Sequence, residues 1–336
     1  MIVRIATRRS PLALWQAERV ATLLTEAVPG VVTELVTTDT APDLDLSLPI
    51  AEFGGKGAFS KEVQALVLAG AADIAVHSAK DLQATTPDGL TIGAFPERGA
   101  VEDCLVGATL ADLPIGATVA TGSQRRRALL LDIRPDLQVV GLRGNIGTRL
   151  ARLSEVDAIV SAWVALERLG TRPDVVERLD PETFVPQVGQ GALAVECRTG
   201  DRPVLEALAA IDDAHTRVTV EAERSFLVTL GGDCELPAGA NAVLATDGKL
   251  TVRGVLAERA ADAAAAARAQ GAATAGANGP ASAAGPAAGA RAAGADGPGA
   301  APGGSERLWR AEVVDLAAAD PGRILAERLL GGHARP

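Results

Sequence analysis

Three kinds of side chain in this sequence could do chemistry. The first is a carboxylate, Asp81, at the end of the apolar run in ADIAVHSAKDL, with Lys80 beside it and His77 and Ser78 just before. Such a group either belongs to a surface salt-bridge cluster or faces a cationic reaction centre and stabilises developing positive charge. The second is a set of arginines where strand-like runs give way to helix-like ones: Arg8 and Arg9, then Arg125 to Arg127 after Gly122-Ser123, then Arg143 and Arg149 around Gly144 and Gly147. Cations in the first turn of a helix oppose its dipole at ~0.3–1 kcal/mol each. The placement makes sense if an anion is held there by backbone amides and guanidiniums together, and three such junctions call for an anion of several charges. The third is Cys234 in GGDCELP, a glycine-rich loop after a helix-like run, where a thiol is accessible for covalent chemistry. Cys104 and Cys197 lie in strand-like apolar contexts and suit a core.

The elements that must position these groups follow an α/β pattern. Short β-branched runs at residues 2–7, 90–95, 117–122 and 137–142 alternate with helix-like stretches. Residues 10–27 carry an apolar stripe of Leu12, Trp15, Ala17, Val20 and Leu23, with Pro11 admissible at the first position. A second helix is expected from Ser60 as N-cap to a stop at Gly70. Residues 72–76 read as a buried strand leading into the Asp81 cluster, and ligands of open α/β sheets gather beyond such strand ends. A helix from Thr216 ends at Gly231 and Gly232, a strand follows over residues 250–256, and a last helix over 323–330 stops at Gly331. Between them residues 259–305 are almost wholly Ala, Gly and Pro, a composition that cannot offset its ordering entropy and reads as a disordered insertion.

With 336 residues the chain should form two or three units, given ~100–200 residues per domain. Its net charge of −10 sets the bulk field against nucleic acid and anionic membranes. Of the 32 cations only Lys56, Lys61, Lys80 and Lys249 are lysines, so the positive charge is mostly guanidinium, suited to bidentate carboxylate binding. Three cysteines without a CxxC pair and three scattered histidines argue against a disulfide framework and against a metal centre. FGGKGAFS lacks phosphate-loop spacing, VGQGALA leads into a strand-like LAVEC, and no GxSxG supports a hydrolase. With no signal-like N-terminus and no spanning apolar run, the expectation is a cytoplasmic protein without a membrane partner.

The stretches RIATRRSPLALWQA, GGKGAFSKE, ADIAVHSAKDL, TGSQRRRALL, LRGNIGTRL, VGQGALAVECR and ERSFLVTLGGDCELPAGA run collinearly from Arg4 to Ala240. Together they resemble the porphobilinogen deaminase, or hydroxymethylbilane synthase, family. The resemblance implies two α/β domains like those of periplasmic binding proteins and a smaller α+β C-terminal domain. Their expected extents are residues 1–94 with 191–208, then 99–186, then 214–336 with the insertion inside the last. It implies an enzyme that joins four porphobilinogen molecules head to tail, losing ammonia each time, and releases the linear tetrapyrrole by hydrolysis. It also implies a dipyrromethane cofactor, made from the substrate and held by a thioether to Cys234.

Carried over by motif, Asp81 is the catalytic carboxylate. Ser78, Lys80, Asp81, Ser123, Arg125, Arg126, Arg143, Gly144 and Arg149 would hold the cofactor, and Arg8, Ser10, Gln16, Phe59, Arg143, Arg149 and Arg168 the substrate, with Lys56 on a mobile loop. A monomer is expected, handing its product to a downstream uroporphyrinogen-forming enzyme. The chain departs from the family pattern at Gln83, Gly122, Trp163, Val188 and Asp233, none of them a reacting group. The competing reading is a non-catalytic two-domain protein that closes over a carboxylate ligand, which accounts for the arginines but leaves Asp81 and the cysteine loop idle.

Overall fold

Val3 and Ile5 of the first strand, β1 (Ile2–Arg8), turn to one face and are buried against Ala17, Val20 and Leu24 of α1 (Pro11–Ala27). Ala6, on the opposite face by strand alternation, packs with Val63 and Val67 of α2 (Lys61–Leu68). A strand covered on both sides is the mark of a parallel α/β sheet. In this computed structural model residues 1–39, 60–231, 237–257, 308–315 and 320–333 are described. Lys56, Phe59, Asp233, Cys234 and the insertion at 259–305 lie outside the described residues.

Pro11 takes the first position of α1, and Ser10 caps it, its hydroxyl accepting from Ala13 N at 3.4 Å. Ser60 does not cap α2: its backbone is already helical at φ −114 and ψ −27, and it makes no side-chain capping bond. Capping of that kind needs extended backbone at the cap residue. The strand expected over residues 72–76 lies two residues later, as β3 (Ile74–Ser78), which brings Ser78 onto the strand end itself.

The first sheet runs β2 (Val32–Thr38), β1, β3, β10 (Leu193–Arg198), β4 (Leu90–Ala94). Its first three strands are parallel, and β10 runs antiparallel to both its neighbours. The second sheet runs β7 (Gln138–Val140), β6 (Thr118–Ala120), β8 (Ala158–Ala162), β5 (Asp103–Val106), β9 (Val176–Arg178). Here too three parallel strands adjoin antiparallel ones. Helices α3 (Gln124–Ile133), α4 (Ile146–Ala151) and α5 (Trp163–Arg168) belong with this sheet, and α6 (Arg202–Ala209) returns to cover the first.

The third unit is an antiparallel sheet of β11 (Ala238–Leu244), β12 (Leu250–Ala257) and β13 (Leu308–Asp315). It is backed by α7 (Ala214–Thr229) and α8 (Pro321–His333), with Phe226, Leu325 and Leu329 buried against Val252 and Leu256. Contrary to the expected stop, α8 runs through Gly331 to His333; glycine ends a helix only where a left-handed backbone follows. Among the described residues no helix is long and apolar enough to cross a membrane.

Because β10 completes the first sheet, the chain crosses to the second sheet near Gly99 and returns near Gly191. Gly99 N donates to Gly191 O at 3.1 Å. Gly191 has φ +88, and a Cβ there would stand 2.5 Å from Gly99 O, so side chains are excluded where the two passes touch. Glu223 of α7, wholly buried, ties the third unit to this double crossing. It accepts both terminal nitrogens of Arg98 at 2.8 and 2.9 Å, Gly189 N at 2.7 Å and Ala242 N at 2.8 Å.

Truncating one partner of a buried, fully bonded pair leaves the other charge without compensation. Glu223→Ala should therefore cost about 3–5 kcal/mol in urea unfolding at pH 7. A loss under about 1 kcal/mol, the scale of an exposed pair, would show that the crossing is held by other contacts.

Candidate active site

The groups singled out for chemistry cluster at the carboxyl ends of parallel strands. Arg8 closes β1 and Ser78 closes β3, while Ser123 and Arg143 follow β6 and β7. After Ser78 the chain makes one 3₁₀ turn, Ala79–Asp81, which presents Lys80 and Asp81. The turn is pinned from several sides. Ala79 N donates to Ala192 O at 3.0 Å, Gln187 Nε2 donates to Lys80 O at 3.2 Å, and Gln16 Nε2 donates to Ser78 Oγ at 2.8 Å.

Opposite lies α3, whose N-cap Ser123 accepts from Arg126 N at 3.4 Å. The sequence placed Arg125 and Arg126 in this first turn as receivers of an external anion. The structure supplies an internal one first. Asp103, wholly buried at the start of β5, accepts Arg125 Nη2 at 2.7 Å on one oxygen. Its other oxygen accepts Arg126 Nε at 3.1 Å and Nη2 at 2.8 Å, and Gln190 Nε2 at 2.9 Å. Arg125 Nη1 also donates to Val185 O at 2.5 Å, and Arg126 Nη1 to Val160 O at 3.2 Å. Burial alone would push the Asp103 carboxyl up, yet the two guanidiniums and these hydrogen bonds hold it well below the usual range.

One carboxylate for two guanidiniums leaves the neighbourhood cationic. Burial pushes the Lys80 ammonium down to about 8, helped by repulsion from Arg126 and opposed by Asp81 and Asp103. Arg149 is pushed down to about 10 by burial, with Arg126 and Arg143 also lowering it and Asp81 raising it. Those influences place Lys80, Asp81, Asp103, Arg125, Arg126, Arg143 and Arg149 within reach of one another's fields, five cations against two carboxylates. The Arg149 side chain is anchored by donating from Nε to Gly144 O at 2.7 Å.

Not every predicted group joins this cluster. Arg168 lies apart, at the double crossing: its Nη2 donates to Gly191 O at 2.7 Å and its guanidinium stacks 5.2 Å from the Trp15 ring centre. It lines a cavity of about 370 Å³ with Trp15, Arg19, Val164 and Leu193. Asp103, Gln190, Arg98 and Glu223 were not singled out from the sequence. The only sequence signal for any of them is indirect: the two glycines that flank Gln190 suit backbone that passes close to another part of the chain.

Cys104 and Cys197 are buried, and burial pushes their thiols up to about 12 and about 11, so neither competes as a nucleophile. Cys234 falls in the sequence between α7 and β11, and β11 starts against α3: a Cβ on Gly239 would stand 2.8 Å from Arg125 Cδ and 2.5 Å from Pro186 O.

A family profile described as the porphobilinogen deaminase dipyromethane cofactor binding domain matches residues 3–206. A second, the porphobilinogen deaminase C-terminal domain, matches residues 217–283. The chain belongs to the porphobilinogen deaminase family. Porphobilinogen deaminase of Nitratidesulfovibrio vulgaris strain Miyazaki F is 46% identical over 259 residues, 76% of this chain and 82% of that one. The enzyme of Syntrophobacter fumaroxidans is 45% identical over 261 residues, 76% of this chain and 84% of that one. An ancestral cationic amino acid solute binding protein superposes with a TM-score of 0.40 at 16% identity, over 62% of this chain and 88% of that one, too distant to bear on the site. The family match makes this a dipyrromethane-binding chain, and the described residues suit such a polycarboxylate. They offer an excess of cations at one site, and Arg125 Nε is buried with no hydrogen-bond partner among the described residues.

Asp103 is the group whose loss leaves two buried guanidiniums unmatched. Its carboxyl lies below its unfolded value, so its stabilisation is full above about pH 4 and fades as pH falls. Asp103→Asn should cost about 3 kcal/mol in urea unfolding at pH 7, with the gap to wild type narrowing at pH 3. Equal stabilities at pH 7 would sink the assignment of Asp103 as the anchor.

Proposed function

We propose that this chain condenses four porphobilinogen molecules head to tail, releasing one ammonia per step, and then frees the linear tetrapyrrole hydroxymethylbilane by hydrolysis. What carries the reading is the placement of one carboxylate, Asp81, on a pinned turn beside the buried Arg125 and Arg126 and the half-buried Lys80, Arg143 and Arg149. Each porphobilinogen brings an acetate and a propionate, so the growing product is the anion of several charges that the cations require. In each condensation the substrate's aminomethyl C–N bond breaks, a C–C bond forms to a free pyrrole carbon, and that carbon gives up its proton.

Asp81 is read as the group facing the pyrrole N–H, stabilising positive charge there as ammonia departs. Lys80, Arg143 and Arg149 are read as partners of the acetate and propionate groups, with Arg8, Ser10 and Gln16 completing the floor between β1 and α1. Arg125 and Arg126 build the wall that sets the field, since Asp103 and backbone carbonyls already occupy most of their donors. Arg168 would contribute from the crossing, and Lys56 and Phe59 from the segment before α2. The dipyrromethane, when bound through Cys234, supplies the pyrrole end to which the first substrate is joined. The chain would act as a cytoplasmic monomer and pass its product to a downstream uroporphyrinogen-forming enzyme.

The experiment is the intact mass of wild-type, Cys234→Ala and Asp81→Asn proteins, with turnover of porphobilinogen measured beside it. Wild type should carry the added mass of two condensed porphobilinogen units and Cys234→Ala none. Asp81→Asn should lose turnover by at least ~100-fold. A wild-type mass that stays unmodified after incubation with porphobilinogen would favour a carboxylate-binding protein instead.

A further inference from the structure

Gln190 stands between the two glycines of VGQG and is wholly buried. Its backbone serves the double crossing: Gln190 N donates to Gln187 O at 2.9 Å, and Arg98 Nε donates to Gln190 O at 2.9 Å. Its side chain makes contacts that the crossing does not require. Gln190 Oε1 accepts from Lys80 Nζ at 3.2 Å, while Nε2 donates to Asp103 Oδ1 at 2.9 Å and to Val101 O at 2.7 Å. One amide thus joins the turn that presents Asp81 to the carboxylate that anchors Arg125 and Arg126.

The orientation of that amide is dictated by its neighbours. Turned over, it would set its NH₂ against an ammonium and its oxygen against a carboxylate and a carbonyl. A charged residue would not serve, since a carboxylate here would face Asp103 and a cation would face Lys80. A neutral group with a donor and an acceptor bonds the ammonium and the carboxylate at the same time.

We propose that Gln190 is a positioning residue for the condensation, holding the Lys80 ammonium through its amide oxygen as one wall of the substrate-carboxylate site. The kinetic part rests on the proposed function; the link between the two side chains does not. The charged groups facing Lys80 are Asp81 from its own turn, Asp103 from β5, and Arg125 and Arg126 from α3. Their charges balance, which leaves the ammonium sensitive to the dipole of the amide it touches. Its titration near 8 makes that sensitivity measurable under ordinary conditions.

The test is competitive acetylation of the holoenzyme by acetic anhydride across pH, read by peptide mass spectrometry, with Lys61 and Lys249 as internal controls. Gln190→Met keeps the length but loses acceptor and donor, and Gln190→Glu keeps an acceptor and adds negative charge. The Lys80 midpoint should fall in the first and rise in the second, each by about half a pH unit or more, with both controls unmoved. KM for porphobilinogen should rise about tenfold in Gln190→Met, with a smaller change in kcat. Unchanged Lys80 midpoints in both variants overturn the proposal even if activity is lost, because the loss is then general damage. Should Gln190→Met fail to fold, the upward shift in Gln190→Glu decides alone. Shifted midpoints in a wild-type background that makes no tetrapyrrole would overturn the functional reading while leaving the side-chain link established.

Discussion

Several cations share one buried neighbourhood in this protein, and Asp103 is the group that makes this tolerable. Like charges brought out of water repel strongly and have lost their hydration. Asp103 compensates two guanidiniums at once through three short hydrogen bonds, and backbone carbonyls of Val185 and Val160 take further donors. With Arg125 and Arg126 immobilised, α3 presents a fixed positive wall. Burial still disfavours protonation of Arg125 despite that partner, and it lowers Lys80 and Arg149, which bond no carboxylate among the described residues, as well. On the proposed reading, an incoming polycarboxylate would supply the negative charge that these cations lack.

That wall belongs to one sheet and Asp81 to the other, so the site exists only because the chain crosses twice between them. The crossing is stiffened by backbone contact at Gly191 and by Glu223, which reaches it from the third unit. The same Glu223 accepts from Ala242 N in β11, the strand that follows Cys234 in the sequence. A single buried carboxylate therefore sets the relative position of the two sheets and of the segment that returns from Cys234. Asp103 and Glu223 are parallel solutions, each a buried acid that organises cationic or amide donors from separate parts of the chain. One shapes the cleft wall and the other the hinge behind it.

Much of this was legible in the sequence, and the limits have physical causes. The apolar stripe after Ser10, the strand leading to Asp81 and the paired burial of Cys104 and Cys197 follow from local periodicity and context, which a sequence carries directly. Ser60 misled because capping depends on the dihedral angles of one residue, and Gly331 misled because a glycine within a helix is merely costly. Asp103 and Gln190 were invisible for a different reason. EDCLV offers two adjacent acids ahead of a strand, and only the register with β8 decides that Asp103 turns inward while Glu102 stays near the surface to meet Arg178. GQG advertised its glycines, yet the residue between them does the linking, and its partners are 110 and 87 positions away in sequence.

The rarity of lysine in this chain sharpens the meaning of Lys80. Where nearly every other cation is arginine, a lysine beside Asp81 is a choice that guanidinium bias alone would not produce. An arginine would stay charged under all conditions and would need five donors satisfied in a fork geometry. Among the described residues the Lys80 ammonium donates to one amide oxygen, that of Gln190. A lysine needs fewer partners, and burial pushes its ammonium down to about 8, so its charge can be tuned where a guanidinium's cannot. The adjacent arginines are held by Asp103 and keep the field around it.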